Sequence, residues 1–220
     1  MTAFCYKHFL QRLAMFVSAV FCASYVNGQQ RADLRNSGGD DCLFVIKSNL
    51  LYDAILTPDI GVEFSVSPSI SVGIEGIYAW WSNDSRHRYW RVRGVWLDGT
   101  WWFGKESKNY RLTGFHAGIY ASVHDYDFEF GGNGWQSRRP TFGAGLTYGY
   151  SFRLNPHLNL DLNIRAGYVG GKVTEYRPMC GAYVCVEERD SHYFGLTGLG
   201  VTLVWFPGWC NSCKSNIQSK

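Results

Sequence analysis

Apolar and polar residues alternate with a period of two along the stretch from Thr141 to Val169. The positions between the apolar residues carry small, polar or charged side chains. Because successive side chains of a strand point to opposite faces, the pattern predicts two strands joined by a tight turn at Asn155-Pro156-His157. Strands of about 12 residues with one apolar face are typical of transmembrane β-barrels. The apolar face comprises Phe142, Ala144, Leu146, Tyr148, Tyr150 and Phe152, then Leu158, Leu160, Leu162, Ile164, Ala166 and Tyr168.

The same alternation predicts eight strands in the whole chain. They are Leu43–Asp53, Gly61–Val66, Ile70–Trp80, Trp90–Phe103, Tyr110–Val123, the two strands of the Thr141–Val169 hairpin, and His192–Phe206. We therefore predict an all-β fold, an eight-stranded antiparallel up-and-down transmembrane β-barrel. An even number of strands brings both chain ends to the same side of the barrel.

The lengths of the connections agree with this prediction. Outer-membrane barrels have short periplasmic turns and longer external loops, and here short and long connections alternate strictly. The short connections are Ser67–Ser69, Gly104–Asn109 and Asn155–His157, and the longer ones are Ala54–Ile60, Trp81–Tyr89, His124–Pro140 and Gly170–Ser191.

The N-terminus predicts a secretory signal peptide cleaved after Gly28. Its apolar stretch, Leu13–Val26, follows basic residues and is shorter than the about 20 residues that a spanning helix needs. The alternative is a lipoprotein processed at Cys22, which the bulky Phe21 disfavours. The predicted plan is a signal peptide over residues 1–28, a periplasmic lead over 29–42, the barrel over 43–206 and a short periplasmic tail over 207–220.

Composition narrows the class of protein further. The 220 residues suffice for one domain, and a slightly negative mean hydropathy of −0.18 argues against a helical membrane protein. The net charge is only +3, and no basic stripe or nucleic-acid-binding module is visible. We therefore expect no nucleic-acid partner.

An eight-stranded barrel is narrow enough for interior side chains to fill it. The predicted interior carries both signs of charge, and such groups pair with one another when they are removed from water. We expect a filled interior, with a conduction or binding path as the alternative. The interior candidates are Glu63, Glu75, Arg91, Arg93, Asp161, Asn163 and Arg165.

Aromatic side chains lie near the predicted strand ends. This placement favours girdles of aromatic residues at the two membrane interfaces, and a carbohydrate-stacking site is the alternative. They are Trp80, Trp81, Trp90, Trp101, Trp102, Tyr148, Tyr168 and Trp205.

The segment Lys47–Ala54, followed by Thr57–Glu63, resembles the opening of an uncharacterised family of small outer-membrane barrels in Bacteroidetes, a domain of unknown function. The segments Trp90–Trp102, Gly114–Gly118 and Gly143–Tyr150 fit the same family. The resemblance implies similarity to the N-terminal barrel of OmpA-type proteins, without the peptidoglycan-binding domain that some members carry. It implies no catalytic residues. Some relatives are thought to lie beside fimbrial or surface-assembly genes.

The Lys47–Asp53 motif also has a structural interpretation. On a strand, Lys47, Asn49 and Leu51 share one face, whereas Ser48, Leu50 and Tyr52 share the other. If the second face meets lipid, Lys47 points inward. It can then pair with Glu63 or Glu75.

Export favours disulfides. The spacing of Cys180 and Cys185 predicts a bridged tip in the longest external loop. Closure of the barrel brings Cys42 towards Cys210 or Cys213, which predicts a bridge at the seam. The Cys-x-x-Cys pair lies in a polar tail rather than at the start of a helix, and a zinc site there would still need a fourth ligand.

Three groups of loop residues carry side chains that a hydrolase would use: Ser85 with His87, His124 with Asp125, and Asp190-Ser191-His192. Nothing in their spacing brings nucleophile, base and acid together. We interpret them as solvated loop residues and predict no catalytic, cofactor-binding or metal-binding residues.

The favoured function is a structural or surface-interaction role in the cell outer membrane, without catalysis. The predicted external loops His124–Phe130 and Tyr176–Asp190 carry acidic and aromatic groups suited to contact with a surface protein or fibre. We expect a monomer surrounded by outer-membrane lipid. The alternatives are an outer-membrane lipid-active hydrolase that uses the loop histidines and serines, and a soluble lipocalin-like binder.

Overall fold

The structure is a computed structural model that describes residues 44–83, 85, 87–179 and 182–207. The predicted signal peptide and periplasmic lead, most of the predicted tail, and Cys22, Cys42, Cys180, Cys210 and Cys213 lie outside these residues. Within the described ranges, no helix is both long enough and apolar enough to cross a membrane. The elements are β1 (Phe44–Asn49), α1 (Leu50–Ala54), β2 (Asp59–Ser67), β3 (Ile70–Asn83), β4 (Arg88–Phe103), α2 (Glu106–Asn109), β5 (Gly114–Phe130), β6 (Asn133–Ser137), β7 (Thr141–Asn155), β8 (Leu158–Met179) and β9 (Ala182–Trp205).

The described strands form one antiparallel sheet that closes on itself as a ring. Eight of them follow the order β1–β2–β3–β4–β5–β7–β8–β9, and β9 pairs back with β1 through Ile46↔Trp205 to Asn49↔Thr202. The predicted hairpin at Asn155-Pro156-His157 is confirmed as the β7–β8 pair. The all-β antiparallel class is therefore confirmed.

The strand count of eight is wrong, because the described sheet has nine strands. The additional strand, β6, lies inside the connection His124–Pro140, for which the sequence pattern predicts a loop. Gly131 and Gly132 both have positive φ angles, 63° and 92°, which suit the two central positions of a tight hairpin turn. This turn folds β6 back onto β5, and β6 then pairs with β8 beyond the ring.

Three strands are also longer than predicted. The segments His124–Phe130 and Tyr176–Asp190 were expected to be loops, but they lie mostly in β5, β8 and β9, and the β8–β9 pairing continues up to Met179↔Ala182. Where both faces of a hairpin meet water, neither face has to be apolar, and alternation no longer marks the strand. Hydrogen bonds to the neighbouring strand maintain the extended backbone there.

The first predicted strand, Leu43–Asp53, ends early, at Asn49. The Asn49 side chain accepts a hydrogen bond from Leu51 N (3.1 Å) and caps the short helix α1. Its amide also donates to Leu199 O (3.2 Å) and accepts from Val201 N (3.2 Å), so this side chain replaces the next strand residue beside β9. The helix reverses the predicted facing, because Leu51 is exposed and Tyr52 is half-buried.

The two faces of the ring are inverted relative to a water-soluble protein. Outward positions along β2, β3, β4 and β7 are apolar and exposed, and they include Ile60, Phe64, Ile70, Val72, Ile74, Leu97, Phe142 and Leu146. Inward positions are largely polar and buried, and they include Glu63, Ser71, Glu75, Asp98, Thr100, His116, Thr147 and Asp161.

Two apolar clusters bracket the polar interior along the strands. The first lies at the short-turn end and contains Val45, Trp102, Leu112 and Val204. The second lies at the other end and contains Ile77, Ala79 and Val92, with Tyr52, Trp90, Trp96, Tyr126 and Phe128 packed against it. Between them, the strands place ionisable side chains in contact.

Candidate functional site

An ion network crosses the middle of the ring. Lys47 Nζ lies 2.9 Å from Glu63 Oε2, which confirms the predicted pairing of Lys47 with a carboxylate on the next strands. Arg165 Nη2 lies 2.8 Å from Glu75 Oε2 and 3.4 Å from Asp98 Oδ1. These five side chains come from five strands and are almost entirely buried. Each charge is therefore compensated by a partner on another strand rather than by bulk water.

Hydrogen bonds extend this network towards the short-turn end. His116 Nε2 lies 2.7 Å from Asp161 Oδ1, and the Trp102 ring packs against the His116 ring with 4.6 Å between centroids. Trp102 Nε1 donates to Ser71 Oγ (2.7 Å), and Ser71 Oγ in turn donates to Glu63. The ion pairs and the histidine thus belong to one connected interior.

Little space remains among these side chains. They leave a cavity of about 30 Å³, which is large enough to hold ordered water. With apolar clusters above and below it, this geometry favours a filled interior over a continuous channel. The cavity is lined by Lys47, Glu63, Asp98, Thr100, Trp102, Leu112, His116, Thr147, Asp161, Asn163, Arg165 and Val204.

Two of the predicted interior residues lie elsewhere. Arg93 is on the outer surface, where its Nη2 pairs with Asp125 Oδ2 at 3.1 Å. Arg91 pairs with Asp127 Oδ2 at 3.2 Å, at the end of the ring from which the β8–β9 hairpin rises. Alternation along β4 sets both positions, since they share a face with exposed Val95 rather than with buried Asp98.

The predicted girdle aromatics also divide between the two faces. Trp102 is buried in the interior, and Trp90 is partly buried, where its Nε1 donates to Thr57 Oγ1 (2.9 Å). The prediction that these two residues belong to an interfacial girdle is therefore wrong. The outward positions hold Trp80, Trp101, Tyr148 and Tyr168, which are all exposed.

A second cluster docks the β8–β9 hairpin against the ends of β4 and β5. Tyr176 Oη donates to Asp127 Oδ1 (2.6 Å), and the Arg91 guanidinium lies 4.1 Å from the centroid of the Tyr89 ring. The same Asp127 carboxylate also holds Arg91. Burial, together with the hydrogen bond to Asp127, raises the pKa of the Tyr176 phenol, so this group stays protonated and continues to donate.

Glu129 forms the other half of this docking cluster. Its side chain is fully buried, with Tyr183 Oη 3.5 Å from Oε2 and His87 Nδ1 3.4 Å from Oε1. Tyr183 Oη also lies 2.6 Å from Tyr89 Oη. Residues of the hairpin therefore cover positions on β4 and β5 that would otherwise face outward.

Apart from the contacts of Tyr183, the β9 arm of the hairpin is open to solvent. Residues 182–190 of β9 are exposed on both faces. In the described part of the chain, β9 pairs with β1 only over Thr202–Trp205, and the rest of β9 pairs with β8 alone. The outer edge of β9 therefore presents backbone donors and acceptors to solvent.

The residues considered for a hydrolase do not meet one another in the structure. Ser85 Oγ donates to Asn83 Oδ1 (2.9 Å), whereas His87 contacts Glu129. The His124 ring stacks on Trp96, with 5.6 Å between centroids, and His192 Nδ1 lies 2.5 Å from Tyr168 Oη. Over the described ranges, no three His, Cys, Asp or Glu side chains are grouped as metal ligands. Cys185 is exposed.

Alternation alone misses several members of these clusters. Asp98, Thr100 and Trp102 occupy every second position of β4, a signal hidden because both faces of this strand carry aromatic residues: Trp90, Trp96 and Trp102 on one, and Tyr89, Trp101 and Phe103 on the other. His116 lies inside a Gly-rich segment that resembles the family without indicating a partner for the ring. Its neighbour Asp161 comes from β8, 45 residues away in sequence.

The fold and the clusters define an all-β protein whose closed antiparallel sheet buries a charged interior and carries a raised hairpin. Residues 15–206 match the family model described as a protein of unknown function, DUF3575, and the chain belongs to this family. Comparisons with curated proteins and with solved structures give no match.

Proposed function

We propose that this chain is an outer-membrane β-barrel with a plugged interior, whose β8–β9 hairpin serves as a surface contact element. The observation that carries the proposal is the inversion of the ring, in which exposed outward positions are apolar and buried inward positions are charged. A surface with so much contiguous exposed apolar area needs a partner, and lipid satisfies it around the whole ring. In the described part of the chain, the ring is closed by the four β1–β9 pairs, and beside α1 the Asn49 side chain adds hydrogen bonds to Leu199 O and Val201 N on the edge of β9.

The ends of the ring support an orientation. Short turns such as Pro68-Ser69 and Pro156-His157 lie at the end where the described chain begins and ends, and the β8–β9 hairpin lies at the other. In outer-membrane barrels the short turns face the periplasm. The hairpin then projects from the cell, as adhesion or assembly requires. This arrangement is also the one expected from similarity to OmpA-type barrels.

The hairpin suits a binding role because it is both docked and exposed. The docking cluster around Asp127 and Glu129 holds its base, so its outer part is presented on a rigid scaffold. Its exposed edge can add a strand from a partner polypeptide, a recurring mode of peptide recognition. The scattered contacts of His87, His124 and His192 favour this non-catalytic role over a lipid-active hydrolase.

Fractionation and heat treatment test the membrane assignment. We expect the expressed protein in the outer-membrane fraction, with an electrophoretic mobility that shifts on heating as a closed barrel unfolds. Recovery of the mature chain from the periplasm without detergent and without a shift would exclude a membrane barrel and support a soluble binder.

Cysteine labelling tests the orientation. In a variant that keeps Cys185 as its single cysteine, a membrane-impermeant maleimide should label intact cells. A matched variant with Ser69→Cys as its single cysteine should be labelled only after the outer membrane is permeabilised. The opposite pattern would reverse the orientation and remove the hairpin from the cell surface.

Shortening the hairpin tests the contact role. Residues 177–184 can be replaced by Asn-Gly, because Tyr176 and Cys185 are paired and a two-residue turn can join them. We expect unchanged membrane insertion and heat shift, with reduced adherence or aggregation of the expressing cells. Unchanged adherence would reject the hairpin as the contact element.

A further inference from the structure

A groove runs across the outer surface of the ring near the hairpin end. Its volume is about 700 Å³, within the range of about 300–1,000 Å³ that is common for small-molecule sites. Its walls are mainly apolar, formed by Ile60 on β2, Tyr78 on β3, Val95 on β4 and Val123 on β5. All four side chains are exposed and belong to the same outward apolar face that surrounds the ring.

The floor of the groove contains Gly76, at a position where an outward side chain would stand. A Cβ atom placed there would meet only the Gly94 carbonyl oxygen, 4.0 Å away. The groove therefore exists because this position of β3 carries no side chain. A larger residue at position 76 would enter the open space without disturbing the sheet.

One cationic group lies among these apolar walls. Arg93 donates from Nε (3.2 Å) and Nη2 (3.1 Å) to Asp125 Oδ2, and the arginine side chain remains 60% exposed. Among the described residues, Arg93 Nη1 makes no hydrogen bond. Asp125 thus fixes the plane of a guanidinium that still has a free edge, a geometry suited to a phosphate oxygen.

We propose that this groove binds one acyl chain of an anionic, phosphate-bearing membrane lipid, with the phosphate at Arg93. The inference rests on the proposed membrane location. The apolar walls continue the surface that faces lipid, and the chain of a bound lipid would lie over Gly76. Asp125 offsets part of the charge of Arg93, so the preference for lipids with negative headgroups comes from the free guanidinium edge and is at most the roughly 1 kcal/mol that one basic residue contributes near an anionic membrane surface.

Native mass spectrometry of the purified protein in detergent tests the groove. The probes are phosphatidylglycerol and phosphatidylcholine with identical palmitoyl and oleoyl chains. We expect a retained phosphatidylglycerol adduct, favoured by up to about fivefold over phosphatidylcholine, which corresponds to that attraction. Gly76→Leu should reduce both adducts about tenfold. Gly99→Leu is the matched control, because Gly99 also faces outward, lies outside the groove and meets only Ile119 Cγ1 at 3.7 Å.

The headgroup contact has its own matched pair. Arg93→Gln should abolish the preference for phosphatidylglycerol, whereas Arg138→Gln should preserve it, since Arg138 is equally exposed, also pairs with one carboxylate and lies outside the groove. Equal adducts on wild type and Gly76→Leu would overturn the proposal. Equal preference in Arg93→Gln and Arg138→Gln would overturn the headgroup assignment.

Two readouts keep this test separate from the membrane assignment. Each variant is first examined for the heat-dependent mobility shift, which depends on barrel closure and not on a bound lipid. Loss of the shift in wild type rejects the proposed function. A normal shift in every variant, with no effect of Gly76→Leu on the adducts, rejects only the lipid groove. A groove that instead retains an apolar peptide segment after lipid is removed would also reject it.

Discussion

The interior of the ring and the docking cluster of the hairpin both bury carboxylates, but they compensate them differently. Inside the ring, Glu63, Glu75 and Asp98 face the cations Lys47 and Arg165. In the docking cluster, each carboxylate has one phenol and one basic side chain as partners: Tyr176 and Arg91 for Asp127, and Tyr183 and His87 for Glu129.

This difference sets how each region responds to damage. Loss of a cation in the interior leaves buried carboxylates without a partner and out of reach of water. The free energy of unfolding of the entire closed sheet is then reduced. The phenols of the docking cluster lie at the base of a hairpin. When one of them is removed, the hairpin can open locally while the ring stays folded. We therefore predict that substitutions in the interior ion network destabilise the whole ring, whereas substitutions in the docking cluster destabilise only the hairpin.

The largest effect is expected from Arg165→Leu. The change leaves Glu75 and Asp98 buried without their guanidinium, and removal of one partner from a buried ion pair typically costs about 3–5 kcal/mol. Urea unfolding in detergent micelles, followed by tryptophan fluorescence, measures the free energy of unfolding. Arg165→Lys keeps the charge and should recover part of the loss. A loss below about 1 kcal/mol for Arg165→Leu would show that the interior is open to water.

A smaller and local effect is expected from Tyr176→Phe. The variant loses a hydrogen bond to a carboxylate, which is worth about 1.5–3 kcal/mol. Amide hydrogen exchange should accelerate at least tenfold in the outer parts of β8 and β9, whereas exchange in β2 and β3 stays unchanged. Equal acceleration throughout the ring would contradict local opening.

Asn49→Ala tests the point where the ring changes from strand to helix. It removes the cap of α1 and the two hydrogen bonds to β9, and the loss of a cap costs about 0.5–2 kcal/mol. The midpoint temperature of the heat-dependent mobility shift should fall. Asn49→Asp keeps the cap acceptor but loses the donor to Leu199 O, so its midpoint should lie between those of Asn49→Ala and wild type. Equal midpoint temperatures for all three proteins would show that Asn49 does not contribute to closure of the ring.

The smallest effect is expected from Arg138→Gln. This residue pairs with Glu188 at the surface, and exposed pairs contribute about 0.2–1 kcal/mol. The unfolding experiment used for Arg165→Leu provides the comparison. A loss as large as that of Arg165→Leu would mean that the hairpin, rather than the interior, stabilises the closed sheet.

Much of the ring could be predicted from residue order. Strict alternation from Thr141 onward predicts β7 and the lower part of β8, and the observed register, such as Tyr150↔Leu162, pairs apolar with apolar positions. The same alternation places Lys47 and Glu63 on one face, and their contact is confirmed. Local periodicity is sufficient here because one face of each strand differs chemically from the other.

The raised hairpin and β6 could not be predicted in this way. Their apolar and polar residues do not alternate, and their extended conformation depends on pairing with neighbouring strands. The turn from β1 into α1 likewise depends on Asn49, whose partners Leu199 and Val201 come from β9.

The sequence by itself therefore determined the all-β class, the apolar and polar faces and the short turns, because each depends on residues that are near neighbours along the chain. Only the tertiary structure decided the closure of β9 on β1, the pairing of Arg165 with Glu75 and Asp98, and the docking of Tyr176 on Asp127. These contacts join residues 49–159 positions apart, and no local pattern of side chains specifies which distant strand supplies the partner.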